Sequence, residues 1–213
     1  MISIQCRLKH PNIEKIVDIF DTKGCHWVFF EAYPCEDLRD KITKSGPFEE
    51  KEAAMYVKDI ANALQFAHEK KIVHRGLCLD KLYVAADNKT IKICGWRHAF
   101  VNSGHQPKVS FAGDVYTMAP EILNETPQGP AIDVWSLGVV TYIMLVGYPP
   151  FHSPDGSDKM RFELIKKGKY SMDPKYWDKV SSSAKDFIKK TLVVDPSKRI
   201  SMSDVSKHPW LQA

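Results

Sequence analysis

The stretch Ala131–Val146 is apolar almost all round, with Asp133 as its single charge. A helix without a polar face must be enclosed by other elements, so the chain is predicted to build its core around this segment. The longer apolar run Leu137–Phe151 is interrupted by Gly147 and by Pro149-Pro150. It is too short to cross a bilayer, and no membrane partner is expected. A length of 213 residues provides one domain or two small lobes with a sizeable core.

Around that centre the spacing predicts further helices. Ala53, Tyr56, Val57, Ile60, Ala61, Leu64 and Ala67 recur at helical spacing between Glu49 and Lys70. Asp37 can cap a short helix over Leu38–Ile42. Ser157–Lys167, Ser182–Thr191 and Ser201–Lys207 complete a helical second half. Residues 1–10 read as the tail of a helix closed by His10-Pro11-Asn12. The apolar runs Ile13–Phe20 and His26–Ala32 flank Asp21-Thr-Lys-Gly24, a hairpin signal with a four-residue loop. Ile72-Val73, Leu82–Val84 and Ile91–Ile93 read as small strands, and residues 94–120 as one long loop. The expected fold class is mainly α, with a small β component.

Charge and cysteine usage exclude several functions. Thirty Lys+Arg against 26 Asp+Glu leave +4, with the charges interspersed. A mixed solvated surface is expected, not a nucleic-acid footprint. The basic cluster Lys159, Arg161, Lys166, Lys167 and Lys169 reads as a solvated helix face. Cys6, Cys25, Cys35, Cys78 and Cys94 are odd in number and never spaced C-x-x-C. Reduced thiols and a cytoplasmic location are therefore expected, with neither a disulfide framework nor a zinc knuckle.

Several short motifs then coincide. His74-Arg-Gly-Leu77, Met118-Ala-Pro-Glu121, Asp133-Val-Trp-Ser-Leu-Gly138, Pro149-Pro-Phe151, Asp195-Pro-Ser-Lys-Arg199 and His208-Pro-Trp210 occur in that order. In order and spacing the chain resembles a eukaryotic Ser/Thr protein kinase domain of the calmodulin-dependent and calcium-dependent group. Gly168-Lys-Tyr170, Trp177, Val180-Ser181 and Ala184-Lys-Asp186 look closest to the calcium-dependent branch. The resemblance implies a kinase-like C-lobe over residues 34–213 and a remnant of the N-lobe, with its β-hairpin, over residues 1–33. By the same spacing, the helix glutamate that pairs with the strand lysine falls on Met1, and no G-x-G pair occurs among the glycines.

The resemblance also exposes departures at the positions that carry chemistry. Phosphoryl transfer needs a carboxylate to accept the hydroxyl proton, and oxygen ligands for Mg²⁺ on the phosphates. The H-R-D aspartate is replaced by Gly76 and the lysine two residues on by Cys78. The loop asparagine falls on Lys81, and D-F-G aligns with Gly95-Trp96-Arg97. No catalytic set is intact, and no metal site or cofactor is expected. Phe30, Glu31, Tyr33 and Asp37 would be remnants of the nucleotide pocket, at its back, in the hinge and at the ribose. Lys81 and Arg97 put positive charge where a metal would sit, and read as drifted surface residues. Asp114 reads as a solvated loop residue, not a surrogate base. His74 reads as a packed histidine, Trp96 as filling the D-F-G phenylalanine pocket, and Met55 and Tyr142 as core.

Other positions look like retained scaffold. Asp133 resembles the aspartate that holds the catalytic-loop backbone and Arg75, and Glu121 with Arg199 resembles a buried ion pair. The expectation is a pseudokinase-type domain, a scaffold or allosteric module. Its partner, or a second copy, would bind through residues 1–33. The alternative is a calcium/calmodulin-dependent-type Ser/Thr kinase using ATP and Mg²⁺, or a fragment of one. No EF-hand loop pattern occurs in the sequence.

Overall fold

A computed structural model describes residues 2–32, 36–85, 87, 89–103 and 113–212. Helix α1 (Ile2–Gln5) leads into a hairpin of β1 (Ile16–Thr22) and β2 (Cys25–Phe30). Helices α2 (Leu38–Ser45) and α3 (Glu50–Glu69) follow, then β3 (Ile72–Val73), β4 (Leu82–Val84), β5 (Ile91–Ile93) and β6 (Phe100–Val101). The remainder is helical: α4 (Pro120–Leu123), α5 (Ala131–Val146), α6 (Asp158–Lys167), α7 (Pro174–Trp177), α8 (Ser182–Thr191) and α9 (Met202–Val205). The expected mainly helical lobe with an N-terminal hairpin is what forms.

Helix α5 is the centre of that lobe, buried from Ile132 through Val146 and stopped by Gly147 in a left-handed conformation. α3 packs on one side of it and α8 on another. The apolar stripe of α3 is buried at every expected position. Gly138 lets α8 approach, since a β-carbon there would collide with Thr191. Asp37, Ser157, Ser181 and Ser201 each accept a backbone N–H at the start of a helix. Such a cap contributes about 1 kcal/mol.

The small strands pair as two miniature sheets, β3 with β6 and β4 with β5. β6 lies inside the stretch expected to be one loop, because a two-residue strand leaves no period to read. Residues 104–112 of that stretch lie outside the described residues. α1 is also shorter than the expected ten-residue helical tail: Arg7 and Leu8 already donate to residues three back, tightening the chain into a turn.

The hairpin differs from expectation in its bounds. Its loop is Lys23-Gly24, with Thr22 opposite Cys25. Ile13 is buried in the lobe, where Glu14 N–H donates to Ile93 C=O and Ile93 N–H to Asn12 C=O. Most side chains of the hairpin are exposed. Phe20, Trp27 and Phe29 share one face and are each at least half exposed, with Phe20 meeting Phe29 edge-on at 5.5 Å between ring centres. The expected division at residues 33/34 falls outside the described residues.

Three surface expectations are corrected. Met55 is exposed, not core. Arg161 is buried, its guanidinium 4.2 Å over the Tyr116 ring and paired with Asp158, so it is not part of a solvated basic face. Asp114 is only 23% exposed and lies 3.6 Å from the Arg39 guanidinium.

Candidate functional site

The loop after β3 is hung from α5. Asp133, fully buried, accepts the backbone N–H of His74 at 2.9 Å and of Arg75 at 2.8 Å. It also meets His68 Nε2 at 2.8 Å. Burial alone would raise the Asp133 carboxyl, but the bond to His68 and these N–H donors leave it below the usual carboxylate range. The double grip holds Arg75 at φ +58°, an uncommon conformation for a side chain of that size. The Arg75 guanidinium does not reach Asp133. Its Nε donates to His98 C=O at 3.0 Å, and its Nη1 is buried without a hydrogen-bond partner.

His74 is a structural histidine. Gly76 N–H donates to its Nδ1 at 3.1 Å, so Nε2 carries the proton that is given to Cys94 C=O at 3.0 Å. Complete burial pushes its pKa down, which keeps the ring neutral. Trp96 packs edge-on against it, 4.5 Å between ring centres, and is itself buried. Both rings are buried, as expected for a packed His74.

Gly76 and Gly95 wall a cleft of about 200 Å³ together with Cys78, Asp80, Lys81, Arg97, His98, Gly113 and Asp114. Positions 76, 78, 81 and 95 therefore converge in space. The Lys81 stem crosses Gly95 so closely that a β-carbon at 95 would lie 2.5 Å from its Cδ. The His98 ring lies 3.4 Å from where a β-carbon at 76 would be. Lys81 is half-buried in this cleft, which corrects its expected place among the surface residues. Burial raises the Cys78 thiol to about 11, so it is protonated and inert as a nucleophile. Asp80 and Asp114 both face Arg39, and Asp114 Oδ1 also accepts Tyr116 N–H at 2.9 Å. Asp114 is thus held by its neighbours and only partly exposed, which corrects its reading as solvated.

The residues expected as nucleotide-pocket remnants have other partners. Glu31 pairs with Lys92 at 3.2 Å and accepts Lys15 N–H at 3.0 Å. Asp37 accepts Asp40 N–H at 2.8 Å as the cap of α2. Phe30 lies on the hairpin, partly exposed, and Tyr33 is outside the described residues. Among the described residues no group of three or more His, Cys, Asp or Glu is placed to hold a metal ion. Among them, too, no helix is long and apolar enough to cross a membrane.

Away from the cleft, Arg199 clasps Glu121 through both nitrogens, at 2.8 and 3.0 Å, with both side chains buried. Its remaining donors go to the carbonyls of Ala131, Val193 and Val194, and its guanidinium lies over the Trp135 ring at 5.1 Å. The pair ties α4 to α5 and to the turn after α8.

A protein kinase domain model matches residues 2–211. The chain belongs to the protein kinase family. This kinase domain is 36% identical over 208 residues to the serine/threonine-protein kinase DCLK3 of Homo sapiens, a match covering 96% of the chain and 32% of that protein. It is 35% identical over 217 residues to calcium/calmodulin-dependent protein kinase type 1 of Caenorhabditis elegans, covering 99% and 60%. The corresponding protein of Macrobrachium nipponense is 33% identical over 217 residues, covering 99% and 61%. The chain thus spans roughly a third to three fifths of the length of these relatives.

Sequence reasoning missed three contributors to the cleft region. His68 was legible, since it continues the buried stripe Ile60, Leu64 by one more turn. Arg39 and His98 were not, because their roles depend on partners 41 and 23 residues away.

Proposed function

We propose that this kinase domain is a pseudokinase-type module that does not transfer phosphoryl groups and acts in the cytoplasm through protein–protein contact. The observation that carries the reading is the Lys81 side chain lying across Gly95, opposite a second glycine at 76. The resemblance assigns to these three positions a metal carboxylate, a proton acceptor and a metal-binding amide. Two of them now have no side chain, and the third presents an ammonium group. A cation repels Mg²⁺ where the reaction needs it neutralising phosphate charge, and loss of such a group costs orders of magnitude in rate. What the domain retains is scaffold: the Asp133 anchor, the Glu121–Arg199 clasp and the enclosed α5. The exposed aromatic hairpin is the surface offered to a partner or a second copy, since a two-stranded ribbon has free edges and an apolar face.

The reading is tested by transfer of labelled phosphate from Mg-ATP to peptide substrates and to the chain itself. No incorporation above a no-protein background is expected. Incorporation that disappears on Asp114→Asn would overturn it in favour of a Ser/Thr kinase working through an unorthodox base.

A further inference from the structure

A groove of about 390 Å³ lies where the turn after α5, the end of α6 and the segment leading into α7 meet, and none of its residues lines the cleft at Gly76 and Gly95. Its walls are aromatic and apolar: Tyr148, Pro149, Pro150, Leu164, Tyr170 and Tyr176. The rings are set from the core. Tyr142 of the buried α5 is fixed by its hydroxyl, which donates to Ser171 C=O at 2.8 Å. Tyr148 and Tyr170 both stand nearly perpendicular to it, at 5.6 and 6.2 Å between ring centres. Tyr148 in turn meets Tyr176 at 5.0 Å, and Phe151 backs Tyr170 at 5.8 Å. Tyr176 is nonetheless 46% exposed. Burial pushes the Tyr170 phenol up, and no hydrogen bond to its hydroxyl contributes. At the rim, Asp173 caps α7 by accepting Lys175 N–H at 2.9 Å, and the Lys175 ammonium lies over the Tyr176 ring at 5.1 Å. Lys169, also at the rim, has no ion-pair partner among the described residues.

We propose that this groove binds a proline-rich segment of a partner protein, in the polyproline II conformation and carrying an acidic residue beside its prolines. This surface is separate from the hairpin and from the cleft, and its role does not require the inactive reading above. A polyproline II segment has no internal hydrogen bonds, so it docks by laying proline rings on aromatic faces while its bare carbonyls accept donors. Tyr170 and Tyr176 each supply a ring face and a hydroxyl. Rings already held by the core lose little conformational entropy on binding. An extended segment that joins a sheet finds no edge here, because no described strand borders the groove. Tyrosine rings also attract a quaternary ammonium, but the Lys175 amino group already lies over Tyr176, and Lys169 adds like charge. With two ammonium groups against the single carboxylate of Asp173, the rim favours an acidic neighbour to the prolines.

The test is isothermal titration of the full chain with three short synthetic peptides: a proline-rich one with a single aspartate, the same with lysine for the aspartate, and the same with alanine for every proline. The acidic proline-rich peptide is expected to bind, several-fold tighter than its lysine counterpart, and the alanine peptide to give no heat. Tyr176→Ala, at an exposed position, is expected to weaken binding roughly tenfold. Tyr170→Phe, which keeps the ring and removes the donor, should weaken it several-fold, and Lys169→Glu should reverse the preference between the aspartate and lysine peptides. Phe20→Ser with Phe29→Ser, on the hairpin, should leave binding unchanged. Absence of binding at millimolar acidic peptide, equal binding of the alanine peptide, tighter binding of a trimethyl-lysine peptide, or undiminished binding in both Tyr176→Ala and Lys169→Glu would overturn the proposal. These outcomes stay distinct from the inactive reading, which fails only if phosphate is transferred.

Discussion

Lys81 and Gly95 fit each other: the lysine stem occupies the space over residue 95, and only a residue without a β-carbon leaves that space open. Gly95 also sits at φ +77°, where an L-residue is strained. Gly95→Ala therefore meets both the strain and the lysine, and is expected to lose about 1–2 kcal/mol of stability. Urea denaturation checks this, and Gly95→Ala combined with Lys81→Ala should recover the part due to collision alone.

The same relationship predicts what repair of the cleft would achieve. Gly76→Asp with Gly95→Asp returns two carboxylates, but the new side chain at 95 meets the Lys81 ammonium first. The double variant is expected to show no phosphoryl transfer above background in the labelled-phosphate assay. Activity in it would show that Lys81 yields its place to a metal.

Mg-ATP should leave thermal stability unchanged. A ligand held at 100 times its dissociation constant stabilises by about 2.7 kcal/mol, a shift that melting curves resolve. A magnesium-dependent rise in Tm at millimolar ATP would contradict this expectation.

The Glu121–Arg199 clasp is buried on both sides, so removing one partner strands the other charge. Arg199→Met is expected to cost roughly 3–5 kcal/mol, and Glu121→Leu in the same chain to recover much of it. A chemical-denaturation double-mutant cycle measures both steps.

Stability should fall on mild acidification. His74 has a pKa below its ordinary 6.5, because burial disfavours the charged ring. The unfolded chain then takes up a proton before the folded one does, so the stabilisation is complete above 6.5 and is lost as pH falls below it. Denaturation between about pH 7.5 and 5.5 should show this slope, and His74→Gln should flatten it.

The hairpin should make the chain associate. Light scattering is expected to show concentration-dependent mass, and Phe20→Ser with Phe29→Ser to remove it while the melting of the helical lobe is unchanged. A wild-type chain that stays monomeric at high concentration would count against association through this face.

The helical core was legible in the residues themselves. A segment with no polar face, Ala131–Val146, can only be interior, and the α3 stripe and the serine caps are local patterns whose physics acts over a few residues. Motif spacing also singled out positions 76, 81 and 95, which the fold brings to one cleft. Their consequences were not legible. That Lys81 lies across Gly95, that Arg39 meets both Asp80 and Asp114, and that Arg161 is buried on Tyr116 are contacts between residues far apart in the chain. Periodicity records which face of an element is apolar. It carries nothing about which charged side chain from another element arrives beside it, because desolvation and ion pairing are settled only when the packed lobe brings the groups together.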